Sequence, residues 1–246
     1  MKTRYKLAGM LTALLLVVVG IFSLSSNVSA AGEGKITGTV KLTGTPPHAK
    51  TIDMSKDPVC QKAHAGDPAK VETVVAGADG GLANVVVYIS EGYSGGATAA
   101  TNPVSIDQKG CMYQPHVVAV DVNQPMKVVN SDQTTHNIHP LPAPGAGNTG
   151  WNKSQPPGSA PFDVTWKAEE IAIPVKCNIH PWMHGYIAVV KGPYGTSDDK
   201  GSYTIDNVPP GSYTLTAWQE DLGKQTAKVT VAAGKPGTAD FTFKAK

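Results

Sequence analysis

Val175-Lys-Cys-Asn-Ile-His-Pro-Trp-Met-His-Gly-Tyr-Ile187 sets Cys177, His180 and Met183 in a Cys-x2-His-x2-Met spacing between two apolar runs, 171–175 and 186–190. Both runs are rich in β-branched and aliphatic residues, so each predicts a strand, with a loop between them held at both ends. Similar short runs lie at 35–42, 83–89, 116–122, 126–129 and 170–176, then at 202–205, 212–218, 227–231 and 239–243. Turn residues such as Pro209-Pro210-Gly211 and Gly223 separate them. No long stretch repeats its apolar positions with the helical period of about 3.6. Many short strands at this spacing predict an all-β chain of sandwich or barrel type.

The residue types in the loop suit copper. A soft thiolate favours Cu(I), imidazole serves both oxidation states, and a long axial thioether tunes the potential; His₂Cys plus Met is the ligand set of blue-copper electron-transfer sites. The loop supplies Cys177, His180 and Met183, so a second imidazole has to come from elsewhere. His136 stands 41 residues before Cys177, after the run 126–129, and is expected at the start of a loop. A zinc set of His136, Cys177, His180 and His184 is a chemical alternative. His184 follows Met183 directly, however, so only one of the two readily faces the same ion.

Asn130-Ser-Asp…His136-Asn137, followed by Cys177-x2-His180-x2-Met183, resembles the cupredoxin family in its plastocyanin and amicyanin branch. The resemblance covers about 90 residues within 105–192. It implies a Greek-key β-sandwich holding one type 1 copper ion, with His136 and His180 as imidazole ligands, Cys177 as thiolate and Met183 as axial ligand. Asn137 would brace the ligand loop behind the cysteine. His184 would stand just outside the ligand set, although its competition with Met183 for the fourth position stays open. The resemblance also implies an electron port, where the His180 ring edge meets an apolar surface beside Pro181 and Trp182; an ordinary core tryptophan is the alternative. His139 has no assigned role, and Trp151 and Trp166 read as packing residues.

The flanks have another texture: glycine-bounded strands and few histidines. Gly34-Lys-Ile-Thr-Gly-Thr-Val40, Ala83-Asn-Val-Val-Val-Tyr88, Gly201-Ser-Tyr-Thr-Ile205 and Val208-Pro-Pro-Gly-Ser-Tyr-Thr-Leu215 resemble the carboxypeptidase-regulatory or transthyretin-like β-sandwich, an Ig-like architecture. That implies a discontinuous domain, 34–100 and 195–246, interrupted by the cupredoxin-like 105–192. A plain β-rich extension of the middle segment is the alternative. Gly-Ser-Tyr-Thr-aliphatic occurs twice, at 201–205 and 211–215, as the two strands of one hairpin would.

Residues 1–30 have the form of a secretory signal peptide: Lys2, Arg4 and Lys6, an apolar middle, and small residues ending at Ala30. An uncleaved anchor is the rival reading. Cleavage implies a periplasmic or extracellular protein with no membrane span, and disulfides are favoured there. Three cysteines then leave one over. With Cys177 taken as the thiolate, Cys60 and Cys111 are expected to pair, closing a loop worth roughly 4 kcal/mol on chain-entropy grounds. A second metal site is the alternative, from Cys60-x3-His64 and Cys111-x4-His116.

Loss of the signal takes three of the 21 basic residues, leaving 18 against 19 acidic, and Arg4 is the sole arginine. A nucleic-acid partner, which calls for a basic patch with arginines, is not expected. Cys-x-x-Cys-His is absent, so no covalent haem is expected. The neighbours of Cys177 are Lys176 and Asn178 rather than histidines, and no second cysteine lies in the loop, so multinuclear copper clusters are not expected. No His-Glu-x-x-His occurs. The reading is a non-enzymatic exported carrier of single electrons between redox protein partners. Copper storage, delivery or sensing is one alternative, and a surface interaction module with structural copper is another.

Overall fold

The computed structural model describes residues 34–95 and 102–246; the expected signal segment, 1–30, lies outside the described residues. Among the described residues regular structure comprises seventeen strands and one short helix, Pro58–Ala63. No described helix is long and apolar enough to cross a membrane.

One pair of sheets is built from the two flanks. Ser202–Val208, Gly34–Thr43 and the short Gly237–Thr238 lie side by side, with Phe241–Lys244 continuing the parallel pairing onto Gly34–Thr43. Facing them, Tyr194–Thr196, Val86–Glu91, Gly211–Gln219 and Gly223–Val231 form an antiparallel sheet. Period-two alternation selects the inner faces. Tyr203 and Ile205 point inward between exposed neighbours, as do Phe241 and Phe243. They meet Ile36, Val40, Val87, Leu215 and Val229 in one core. Each such buried side chain contributes about 1.5–3 kcal/mol. The two Gly-Ser-Tyr-Thr copies are not hairpin partners. Pro209-Pro210 turns the chain between sheets, so Tyr203 reaches the core from one side and Tyr213 from the other.

The middle of the chain makes the second pair. A five-stranded sheet runs Val117–Asp121, His184–Val190, Glu170–Lys176, His136–Pro140, Lys153–Gln155. Opposite it stand Met112–Gln114, Val104–Lys109, Met126–Asn130 and Phe162–Val164. Ile106, Tyr113, Val128, Ile138, Trp166 and Ile187 fill the space between, with Trp151 stacked on Trp166. A third cluster, including Val86, Tyr88, Val117, Ala188 and Trp218, closes the seam between the two sandwiches.

Several elements differ from the sequence expectation. His136 opens a strand rather than a loop, because its backbone pairs with Gln155. Val104–Lys109 was not among the expected strands, because only Val104 and Ile106 are apolar and its inward face ends on Gln108. Lys109 and Met112 are joined by a two-residue turn in which Gly110 (φ 63°) and Cys111 (φ 56°) are both left-handed, the geometry of a type I′ hairpin.

Candidate metal centre

The strands Glu170–Lys176 and His184–Val190 pair down to Lys176 opposite His184, leaving 177–183 as a tight connection. Backbone bonds close it: Cys177 N–H donates to Met183 O at 3.0 Å, and Met183 N–H to His180 O at 2.9 Å. The His180 N–H points at Cys177 Sγ, 3.4 Å away. The neighbouring strand, His136–Pro140, brings in His136 and Asn137. Asn137 Oδ1 accepts from the Asn178 N–H at 2.7 Å and lies 3.4 Å from Cys177 Sγ, while its amide donates to Asn152.

His136, Cys177 and His180 thus come together, their ligand atoms all within 4.8 Å of one another and all three side chains buried. The Nδ1 atoms of the two imidazoles are 2.9 Å apart. Their other nitrogens are each engaged by a carboxylate. His136 Nε2 donates to Asp132 Oδ2 at 2.9 Å, and His180 Nε2 to Asp57 Oδ2 at 3.0 Å. A carboxylate only accepts, so both Nε2 atoms carry hydrogen; with the rings neutral, both Nδ1 lone pairs turn inward toward the sulfur. Two lone pairs and a sulfur converging in a buried space repel unless a positive charge, a proton or a metal ion, is shared among them. The donor set therefore fits a soft or borderline metal cation.

Without a metal, a shared proton supplies that charge. Burial alone would push the Cys177 thiol up, but His136 and nearby backbone N–H groups outweigh it and hold the thiol below its ordinary value. Burial would likewise lower His136, yet Asp132 and Cys177 carry it up to about 9. Burial would raise Asp132; hydrogen bonds from His136 and from the Cys111 and Gly110 N–H groups hold it below the ordinary carboxylate value instead.

Met183 is fully buried and packs in the same cluster as Cys177. His184 does not join it. Its Nδ1 bonds to Trp182 O at 3.0 Å, and its ring meets His116 edge-on, in a separate group with Glu220. The zinc set drawn from the sequence therefore does not assemble. His139 lies nearer the surface, bonded to Asn178.

Cys60 and Cys111 form a disulfide, and Cys177 is the free cysteine. The alternative Cys₂His₂ site is thereby excluded: both thiols are consumed, His64 bonds to Gly110 O, and His116 bonds to Glu220. The disulfide has a position the sequence did not suggest, with Cys60 Sγ 3.8 Å from His180 Nε2. Asp57 and Pro58 start the helix that carries Cys60, as N-cap and first helical residue. This segment lies over His180, leaving it only 3 % exposed. The ring edge expected at the surface is consequently covered. Pro181 is exposed, whereas Trp182 is half-buried with its Nε1–H donating to Cys111 O. Asp132 sat within a quoted motif but without a role of its own. Asp57 had no local signal beyond the Asp-Pro helix start.

Gly92-Tyr-Ser-Gly-Gly96 spells the Gly-x-Ser-x-Gly pattern after the strand Val86–Glu91, and residues 96–101 lie outside the described residues.

Residues 189–244 match the carboxypeptidase regulatory-like domain family. No curated protein matches the chain in sequence. Among solved structures it is similar to a Cu-containing nitrite reductase from Thermus scotoductus SA-01, at 20% identity over 41% of this chain and 25% of that one, TM-score 0.32. It is also similar to a purple cupredoxin from Nitrosopumilus maritimus, at 19% identity over 35% and 99% of the respective chains, TM-score 0.29. A third is an oxidised proline-to-glycine variant of amicyanin, at 17% identity over 42% and 98%, TM-score 0.32.

Proposed function

We propose that the chain holds one copper ion through His136, Cys177 and His180, with Met183 as the axial ligand, and works as an exported one-electron carrier between redox protein partners. The carrying observation is the double carboxylate tether: Asp132 and Asp57 each hold an Nε2, so both Nδ1 atoms face each other and Cys177. Met183 is supported by its full burial beside Cys177 and by the commitment of His184 elsewhere. Bound copper would supply a reversible one-electron change between Cu(I) and Cu(II). The protein's own part is to fix the donors. Asn137 pins the loop behind the sulfur, the two aspartates orient the rings, and burial keeps water from the thiolate.

Copper-loaded full chain should show an intense thiolate-to-copper absorption band and a reversible voltammetric wave, both abolished by Cys177→Ser. A colourless copper complex would overturn the reading.

The covering of His180 by Asp57 and Cys60 favours a second reading, copper holding without rapid electron exchange. A coloured protein with no reversible wave that releases Cu(I) to a chelator would select it.

A further inference from the structure

His116 lies at the seam of the two sandwiches, outside the cluster assigned to copper, with its side chain 2% exposed. Its Nε2 donates to Glu220 Oε1 at 2.6 Å. Its Nδ1 is buried and has no hydrogen-bond partner among the described residues, yet Glu72 Oε2 lies 3.6 Å from it. A neutral imidazole that donates from Nε2 presents a lone pair at Nδ1. That lone pair faces a carboxylate, an arrangement that calls for a cation.

His184 completes the group. Its Nδ1 is used by Trp182 O, which leaves Nε2 as its remaining ring nitrogen. Ligand atoms of His116, His184 and Glu220 all lie within 4.8 Å of one another. Burial pushes the Glu72 carboxyl up, while the nearness of His116 and His184 draws it down and Glu220 raises it, so the four side chains share one electrostatic neighbourhood. The backbone is shaped for the approach, since a Cβ at Gly185 would stand 2.6 Å from His116 O. Met183 and His184, consecutive in the chain, serve different clusters.

We propose that His116 Nδ1, His184 and Glu72 form a second metal site, with Glu220 holding the His116 Nε2–H behind the ring, for a divalent transition-metal ion of the class that zinc represents. Two imidazoles with a carboxylate suit such an ion, and a second carboxylate behind one ring fixes its tautomer. Calcium and magnesium prefer all-oxygen sites, and Cu(I) would find no sulfur here. His116 and His184 come from the copper-proposed sandwich, while Glu220 follows the Gly211–Gln219 strand of the other. The ion, with the Glu220 carboxylate behind His116, would therefore tie the two sandwiches together. Glu72, with 40% of its side chain exposed, marks the entry side.

The test is zinc titration of the chelator-stripped, copper-reloaded full chain, read by calorimetry and by metal content after dialysis. It is repeated in His136→Ala/Cys177→Ala, which disables the first cluster. One retained zinc per chain is expected in both, with a higher melting temperature. His184→Gln and Glu220→Gln should each lower zinc affinity at least tenfold while copper content holds. Glu72→Gln, on the solvent side, gives the same reading if the more buried variants fail to fold. No zinc retained in the double variant, or affinity unchanged by all three substitutions, would overturn the site and leave the four groups sharing a proton. Zinc is read directly, so a colourless first cluster would count against the copper reading alone.

Discussion

Asp57 Oδ2 and His180 Nε2 lie 3.0 Å apart although 123 residues separate them in the chain. The same oxygen also accepts from Thr134 Oγ1, and the other carboxylate oxygen caps the helix through the Val59 and Cys60 N–H groups. One side chain thus starts a helix, seats it on the sandwich and orients an imidazole. A carboxylate behind a metal-bound imidazole fixes its tautomer and raises its basicity.

Asp57→Asn separates these roles. Asparagine is as good an N-cap as aspartate, so stability should change by less than about 1 kcal/mol. The charge behind His180 is lost, and copper affinity should fall about 10–100-fold. Competition against a chelator measures it. Unchanged affinity would show that Asp57 acts on the helix alone.

The Cys60–Cys111 disulfide ties this covering segment to the hairpin turn at Gly110-Cys111, with a sequence separation of 51. Replacing both cysteines with serine should cost about 4 kcal/mol on chain-entropy grounds, seen as a lower denaturant midpoint. Loosening the segment should also expose His180, so loss of copper to a chelator should quicken. A lower midpoint with unchanged copper release would mean that the Asp57 contacts alone keep His180 covered.

What the sequence disclosed follows from how local each signal is. Cys177, His180 and Met183 fall within seven residues between two β-rich runs, so one loop carries most of the candidate site. His136 was legible through Asn137 and the strand before it. Asp57 was not, because its partner is 123 positions away and nothing at 57 announces an imidazole. The seam cluster was hidden for the same reason: His116, His184 and Glu220 come from different strands or strand ends, and only folding juxtaposes them. Short edge strands such as Lys153–Gln155 and Phe162–Val164 hold too few residues for an alternation to register. The two Gly-Ser-Tyr-Thr copies misled because a repeat fixes strand character but not which sheet each strand joins.

Asp132 should leave a mark on acid stability in the metal-free protein. Burial opposes its ionisation, but His136 and two backbone N–H groups more than offset that, so its carboxyl sits below the ordinary 3.8 when folded. A depressed carboxylate stabilises the fold above its unfolded value, and that contribution is lost as pH falls through the folded one. Wild type should therefore lose stability on acidification below pH 3.8 more steeply than Asp132→Asn. Near neutral pH the variant should be weaker by about 1–3 kcal/mol, since a charged acceptor of buried donors is gone. Denaturant unfolding across pH measures both, and parallel curves would remove Asp132 from the balance.

Gly185 stands where the two clusters diverge, one residue after His184 and opposite Val175. An alanine Cβ would lie 2.6 Å from His116 O, which already accepts the Tyr186 N–H at 2.9 Å, so backbone rather than a flexible side-chain tip must yield. Gly185→Ala should push the Val117–Asp121 strand away from His184–Val190, costing about 1–3 kcal/mol as overpacked sites do. The melting temperature should fall by about 2–4 °C for each kcal/mol. His116 rides on the displaced strand end, whereas His136, Cys177 and His180 are held by Asn137 and the carboxylates on the far side. Zinc affinity should thus drop more than copper affinity. Scanning calorimetry and paired metal titrations decide it, and an equal loss of both metals would mean that the strand pair moves as one body.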